Sequence, residues 1–281
     1  MRGSPEKLLG VLGWPLEQTL SPVMHNAALR AVGLEWHYLA WRVPPKDLRA
    51  AIQGIRVLDI AGANVTMPHK KAVLRLLDEL SSDARDIGAV NTIERITDGR
   101  LVGHNTDVDG FREFLAGDAG IKVEGRNAVV LGAGGAARAI VRALDELGAA
   151  RIVICARRTR VARHVCRLSA RAPARAAGWD RVSAEVEHAD VLVNATPLGM
   201  RAEEAVSDAS FRPGQAVVDI VYQPPATPLV ERARASGAEA WGGLGMLVRQ
   251  GAASFRIWTG LDPPLETMSA AAVRALGQQR P

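Results

Sequence analysis

Cysteine is nearly absent. The 281-residue chain has two, Cys155 and Cys166, too few for a disulfide framework and without the paired spacing of a zinc site. Its six histidines show neither His-x-His nor His-Glu-x-x-His spacing, so no metal is expected. Aromatic residues make up only 4%, and no basic stripe carries the interleaved rings of a single-strand nucleic-acid binder. No run approaches the ~18 apolar residues a membrane span needs. The opening MRGSPEKLLG has neither the apolar region nor the small-residue cleavage site of a secretory signal. The expectation is a soluble cytoplasmic protein that takes a small molecule, and neither nucleic acid nor membrane, as its partner.

What is present is globular. Hydrophobic residues are 48% and charged residues 23%, and the length suits one large α/β domain or two smaller ones. The net charge is +5, but Arg142 to Arg181 holds ten arginines against three acids. That segment alone exceeds the chain's excess, so the remainder is slightly acidic. Such a cluster is either a solvated basic face or a local anion site, and the motif beside it favours the second.

Strand-like runs at Leu8–Leu12, Trp36–Val43, Gly62–Val65, Asn127–Leu131, Ile152–Cys155, Val191–Asn194 and Ala216–Ile220 alternate with helical patterns such as Ser21–Val32 and Ala136–Leu147. Alternation of this kind predicts mainly parallel sheets in an α/β fold. The cleanest seam lies near Asp107–Lys122, where a helical stretch leads into the strand at Asn127. The apolar Met246-Leu247-Val248 run is expected to open a C-terminal helix.

The sharpest local signal is RNAVVLGAGGAARA, residues 126–139. A strand runs into Gly132, Gly134 and Ala137, which fit the G-x-G-x-x-[GA] pattern, and a helix and second strand follow. Gly132 permits the tight turn, Gly134 lets a pyrophosphate approach the backbone, and Ala137 keeps helix and strand close. Gly148 suits the helix C-terminus. An NAD site would place Asp or Glu at the end of the second strand. This chain has Ala156, Arg157, Arg158, Thr159 and Arg160 there, and guanidinium groups pair with a 2′-phosphate. The expected cofactor is NADP.

In the first half, NVTMPHK (64–70), GAVNTI (88–93) and GHNTD (103–107) concentrate polar residues in apolar surroundings. Asn64 and Thr66 can share one side of an extended strand, and Pro68 rigidifies the turn that delivers Lys70. Asn91, Asn105, Thr106 and Asp107 could line a cleft for a polyhydroxylated ligand. Each taken alone also suits a turn or a helix cap, and spacing does not decide between the two.

Nine segments together resemble the shikimate dehydrogenase family. They are TLSPVMHN (19–26), NVTMPHK (64–70), GAVNTI (88–93), NTD (105–107), GAGGAARA (132–139), NATPLGM (194–200), DIVYQP (219–224), TPL (227–229) and GLGMLVRQ (243–250). They stand in family order over essentially the whole chain. The resemblance implies reversible, NADP-dependent reduction of 3-dehydroshikimate to shikimate, in the pathway to aromatic amino acids. It implies two α/β domains flanking a cleft: a substrate domain of 1–106 plus about 245–281, and a Rossmann-like, doubly wound NADP domain of about 107–244.

By motif position, Lys70 is the catalytic lysine and Asp107 its partner. Thr19 and Ser21 would hold the substrate carboxylate. Thr66, Asn91, Asp107 and Gln250 would hold the ring hydroxyls, with Tyr222 nearby. Gly132, Ala133, Gly134, Gly135 and Ala136 would cradle the pyrophosphate, and Ala156, Arg157 and Arg158 would surround the 2′-phosphate. Ile220 and Gly243 would approach the nicotinamide. Family members occur as monomers and dimers, and a homodimer stays open.

Three segments depart from the family pattern. Thr19 stands where Ser is usual and narrows the carboxylate pocket by a methyl. Ala156-Arg157-Arg158 replaces Asn-Arg-Thr, losing an amide and gaining a guanidinium. His69 stands where Phe is common and reads as a packing variant. Thr19 keeps a quinate or aminoshikimate dehydrogenase open as the alternative. A non-catalytic NADP-binding regulator would have no need of Lys70, Asp107 and Gln250 together. His25 is expected to pack the first helix, His104 to end a strand, and Cys155 to be buried and inert.

Overall fold

The computed structural model describes residues 6–17, 19–201, 204 and 206–278. Two compact units divide the chain: residues up to Thr106 together with those from Val248 onward, and Asp107–Leu247.

The first unit begins β1 (Leu8–Gly13), α1 (Ser21–Ala31), β2 (His37–Arg42), α2 (Leu48–Val57) and β3 (Gly62–Val65), then β4 (Glu79–Leu80), α3 (Ser82–Ile87), β5 (Thr92–Arg95) and β6 (Leu101–His104). Its six strands are ordered β2-β1-β3-β5-β6-β4. β1 is parallel to β2 and β3, while β5 is antiparallel to both of its neighbours. The register sets Leu12 opposite Val65, Asn64 opposite Thr92, and Thr92 opposite His104. The carboxyl ends of β1, β3 and β6 and the amino end of β5 therefore share one edge. Helix α2 buries Leu48, Ile52 and Ile55 at helical spacing, against a core that includes Val65, Val73, Ile93 and Leu101. Gly10 is required by packing, since a Cβ there would stand 2.5 Å from the Trp41 ring.

The second unit opens with α4 (Asp107–Glu113), which runs on into a π-helical turn, Phe114–Asp118. It continues β7 (Asn127–Leu131), α5 (Gly135–Glu146), β8 (Arg151–Cys155), α6 (Thr159–Cys166), β9 (Ala174–Ala177), α7 (Val182–Glu187), β10 (Val191–Asn194), β11 (Ala216–Asp219), α8 (Pro228–Ala235) and β12 (Glu239–Trp241). α9 (Leu244–Thr259) then carries the chain back to the first unit, and α10 (Leu265–Gln278) follows. The return to the first unit falls within α9, between Leu247 and Val248. All six strands are parallel, in the order β12-β11-β10-β7-β8-β9. This is the doubly wound order, and it reverses direction between β7 and β10. Apolar side chains of β7, β8, β10 and β11 join one core with Val186, Leu229 and Val230.

Helix α5 shows how locally the fold is written. Ala137, Ile140, Val141 and Leu144 are buried on one stripe. At its end Gly148 takes φ +80°, and the N–H groups of Gly148 and Ala149 donate to Asp145 and Leu144. That is a Schellman closure, which needs a left-handed residue.

Candidate active site

In the first unit the shared strand edge gathers the polar residues. The Thr66 N–H donates to the Leu12 carbonyl across 2.9 Å, so the chain after β3 stays beside the end of β1. The turn then closes with the His69 N–H on the Thr66 carbonyl, and the His69 ring meets the Val43 carbonyl at 2.7 Å. His69 is thus a buried tether as well as a packing residue, a role its sequence position did not reveal. The Val90 N–H donates to the Lys70 carbonyl at 2.8 Å, which sets Lys70 next to Asn91. Lys70 itself is half-buried.

Asn91 is 2% exposed, and both ends of its carboxamide are held in place. Its Oδ1 accepts from the Thr106 N–H and the Thr92 hydroxyl, and its Nδ2 donates to Thr106 Oγ1 and to Gln250 Oε1 at 3.2 Å. These partners fix the orientation of both carboxamides. Asn64, which strand alternation sets on one side with Thr66, turns inward: it accepts from the Tyr38 hydroxyl and donates to Thr92 and Ser254. Asn105 likewise spends its amide on the Ala89 carbonyl. Thr19 and Ser21 lie at the start of α1, where Thr19 Oγ1 accepts from the Ser21 N–H at 3.3 Å. That helix has no side-chain cap of its own.

Two further histidines of this unit are engaged within it. His25 is fully buried and stacks on Tyr38 with ring centroids 4.3 Å apart. Burial lowers its pKa to about 3, so it is neutral. His104 ends β6 and pairs with Glu94 at 2.9 Å.

In the second unit the switch point carries the glycine turn. Gly132 has φ +104°, its N–H donates to the Cys155 carbonyl, and a Cβ there would approach the Ala195 carbonyl to 3.0 Å. Gly134 caps α5 without any side-chain bond to the helix, and a Cβ on it would meet nothing within 4 Å. Packing therefore does not demand glycine at 134; the space above the helix amides stays open for an anion. Ala133, Gly135 and Ala136 complete the turn, half-buried, and Ala137 is fully buried.

Beyond β8, Ala156 is buried and bonds to Ala177 through its N–H. Arg157, Arg158, Thr159, Arg160, Val161 and His164 line an open cavity of about 550 Å³. Cys155 lies in the strand core, and burial pushes its thiol up to about 12, which leaves it inert.

The ends of β10 and β11 hold a network that motif reading missed. Asn194 donates to Asp219 at 2.9 Å, and the Thr227 hydroxyl donates to the same carboxyl at 2.7 Å. The Val221 N–H also donates to it. Burial outweighs these bonds and raises the Asp219 carboxyl to about 6. Just beyond, the Gly243 N–H donates to the Val221 carbonyl, bringing Gly243 against Ile220. Tyr222 follows, half-buried, while Asp107 opens α4 and is 3% exposed.

Among the described residues no three His, Cys, Asp or Glu side chains gather as a metal site, and no helix is long and apolar enough to cross a membrane.

A doubly wound sheet in this order, with a glycine turn at its switch point and arginines past its second strand, is the architecture of dinucleotide-dependent dehydrogenases. Residues 11–93 match the shikimate dehydrogenase substrate binding domain, 115–223 the shikimate/quinate 5-dehydrogenase family, and 243–273 the shikimate 5′-dehydrogenase C-terminal domain. The NADP⁺ shikimate dehydrogenase of Geobacter metallireducens is 42% identical over 96% of this chain and 97% of its own. A Thermus thermophilus shikimate 5-dehydrogenase, solved with NADP(H) and shikimate, superposes with a TM-score of 0.85 at 39% identity, over 96% of this chain and 99% of that one. A Corynebacterium glutamicum quinate dehydrogenase, solved with NAD, gives 0.86 at 32% identity, over 96% and 100%. The chain belongs to the shikimate dehydrogenase family.

Proposed function

We propose that this enzyme reversibly reduces 3-dehydroshikimate to shikimate with NADPH. The observation that carries the reading is the edge of the first sheet, where Thr66, Lys70 and Asn91 are held together and Asn91 is bonded to Gln250. An array of amides and hydroxyls around one lysine suits a polyhydroxylated acid whose ketone becomes an alcohol.

The residues of the second unit fit a dinucleotide diphosphate. Open space over Gly134 at the start of α5, with Gly132, Ala133, Gly135 and Ala136 around it, accepts the pyrophosphate. Arg157 and Arg158, beside Ala156, take the 2′-phosphate, and Ile220 and Gly243 take the nicotinamide end. Bound NADPH supplies the hydride that the C3 carbonyl carbon receives.

Lys70 supplies the proton and the positive charge that the developing alkoxide needs, with Asp107 sharing the proton traffic. Thr19 and Ser21, at the uncapped start of α1, hold the carboxylate. Thr66, Asn91, Asp107 and Gln250 hold the hydroxyls, and Tyr222 is a further substrate-binding residue. Because these groups are polar and partly buried, a substrate lacking a hydroxyl leaves them unpaired and is rejected. Two free thiols, Cys155 and Cys166, suit the reducing cytoplasm in which we place the enzyme.

Thr19 favours one further reading, in which quinate is also a substrate. Steady-state turnover measured with shikimate or quinate, each with NADP⁺ or NAD⁺, separates the two. Turnover with shikimate and NADP⁺ alone supports the main reading. Efficient oxidation of quinate moves the assignment within the family, and turnover of neither acid removes it.

A further inference from the structure

Helix α9 lies against the first sheet, where Trp258 donates to the Ile93 carbonyl, and Ser254 sits in it fully buried. Its Oγ has four polar partners. Asn64 Nδ2 donates to it at 3.0 Å, Thr92 Oγ1 lies at 2.7 Å and Thr106 Oγ1 at 3.1 Å, and the serine donates to the Gln250 carbonyl at 3.0 Å. Gln250 is one helical turn away. Thr92 and Thr106 are also the residues that bond both ends of the Asn91 carboxamide. One hydroxyl thus joins the helix that carries Gln250 to the strand ends that carry Asn91.

We infer that Ser254 is a positioning residue for substrate binding. It sets the separation and orientation of the Asn91 and Gln250 carboxamides, and so the fit of a vicinal ring diol. Ser254 touches no substrate in this account, which rests on the assignment of Asn91 and Gln250 to the ring hydroxyls. Helix propensity gives no reason for serine here, since alanine is the better helix former. A back-bonded serine inside a helix serves a tertiary purpose or none.

The role makes a selective prediction. Ser254→Ala removes the shared hydroxyl, so the KM for shikimate rises roughly tenfold, the loss of about one hydrogen bond. The KM for NADP⁺ stays at the wild-type value, and kcat changes less than KM. Ser254→Thr and Ser254→Val are equal in shape and differ in the hydroxyl, so Thr lies nearer the wild type. If the added methyl prevents either from folding, Ala against wild type decides.

The assay measures both KM values, kcat and Tm for each variant beside the wild type. A shikimate KM within twofold of wild type in Ser254→Ala overturns the inference, as does a parallel change in both KM values, the mark of a merely structural serine. Absence of shikimate turnover in the wild type overturns the functional reading and this role with it. Wild-type turnover with an unmoved KM in the variant overturns this role alone.

Discussion

The carbonyl of Ile220 occupies the space where a side chain at Gly243 would begin. The Gly243 N–H is meanwhile tied to the Val221 carbonyl at 3.0 Å, so neither strand of the contact can withdraw without breaking a backbone bond. Glycine at 243 is a requirement of close approach and not of a left-handed φ. Gly243→Ala is therefore expected to cost about 1–3 kcal/mol by overpacking and to raise the KM for NADP⁺. Thermal unfolding and cofactor titration check it; an unchanged Tm contradicts the contact.

The arginine-lined cavity beyond β8 predicts cofactor choice. Arg157→Ala and Arg158→Ala should each raise the KM for NADP⁺ by roughly tenfold or more, since a guanidinium–phosphate bond is charge-assisted. The KM for NAD⁺, which has no 2′-phosphate, should stay put. Equal losses with both cofactors would remove the 2′-phosphate from that cavity.

Asp145 predicts a pH dependence. This buried carboxylate on α5 accepts from the Ser169 hydroxyl and the N–H groups of Ala170, Arg171 and Ala172. Burial alone would raise its pKa, but those four donors outweigh it and hold the group below the usual carboxylate range. Its folded pKa lies below the unfolded value of about 3.9. The stability it contributes is therefore complete above that value and is lost as pH falls through the folded one. Asp145→Asn should cost about 2 kcal/mol at neutral pH, with the gap to wild type closing below about pH 4. Chemical denaturation along a pH series checks this, and a constant gap contradicts it.

Much of the second unit was legible because its determinants are local. Gly132 and Gly148 have the positive φ that their places in a turn and a helix end imply, and β7, α5 and β8 fall within a residue or so of the spans their apolar patterns mark. The first unit was less so. Strand alternation sets Asn64 on one side with Thr66, but its partners Thr92 and Ser254 lie 28 and 190 positions away. A serine in an apolar helix and an asparagine in a buried strand carry no local sign of each other. The Asn194–Asp219–Thr227 network escaped for the same reason, since it joins the ends of two strands to the start of α8. The passage from one unit to the other falls within α9, where a continuous helix shows no break in sequence.

The most direct test of the whole account follows NADPH oxidation by 3-dehydroshikimate, with wild type and Lys70→Ala side by side. Rapid oxidation is expected of the wild type. In the variant kcat should fall by about 10²-fold or more, the scale of general acid catalysis, while the KM for 3-dehydroshikimate stays within a few-fold. A wild type that leaves NADPH unoxidised contradicts the proposed reaction, and a variant with near-normal kcat removes Lys70 from it.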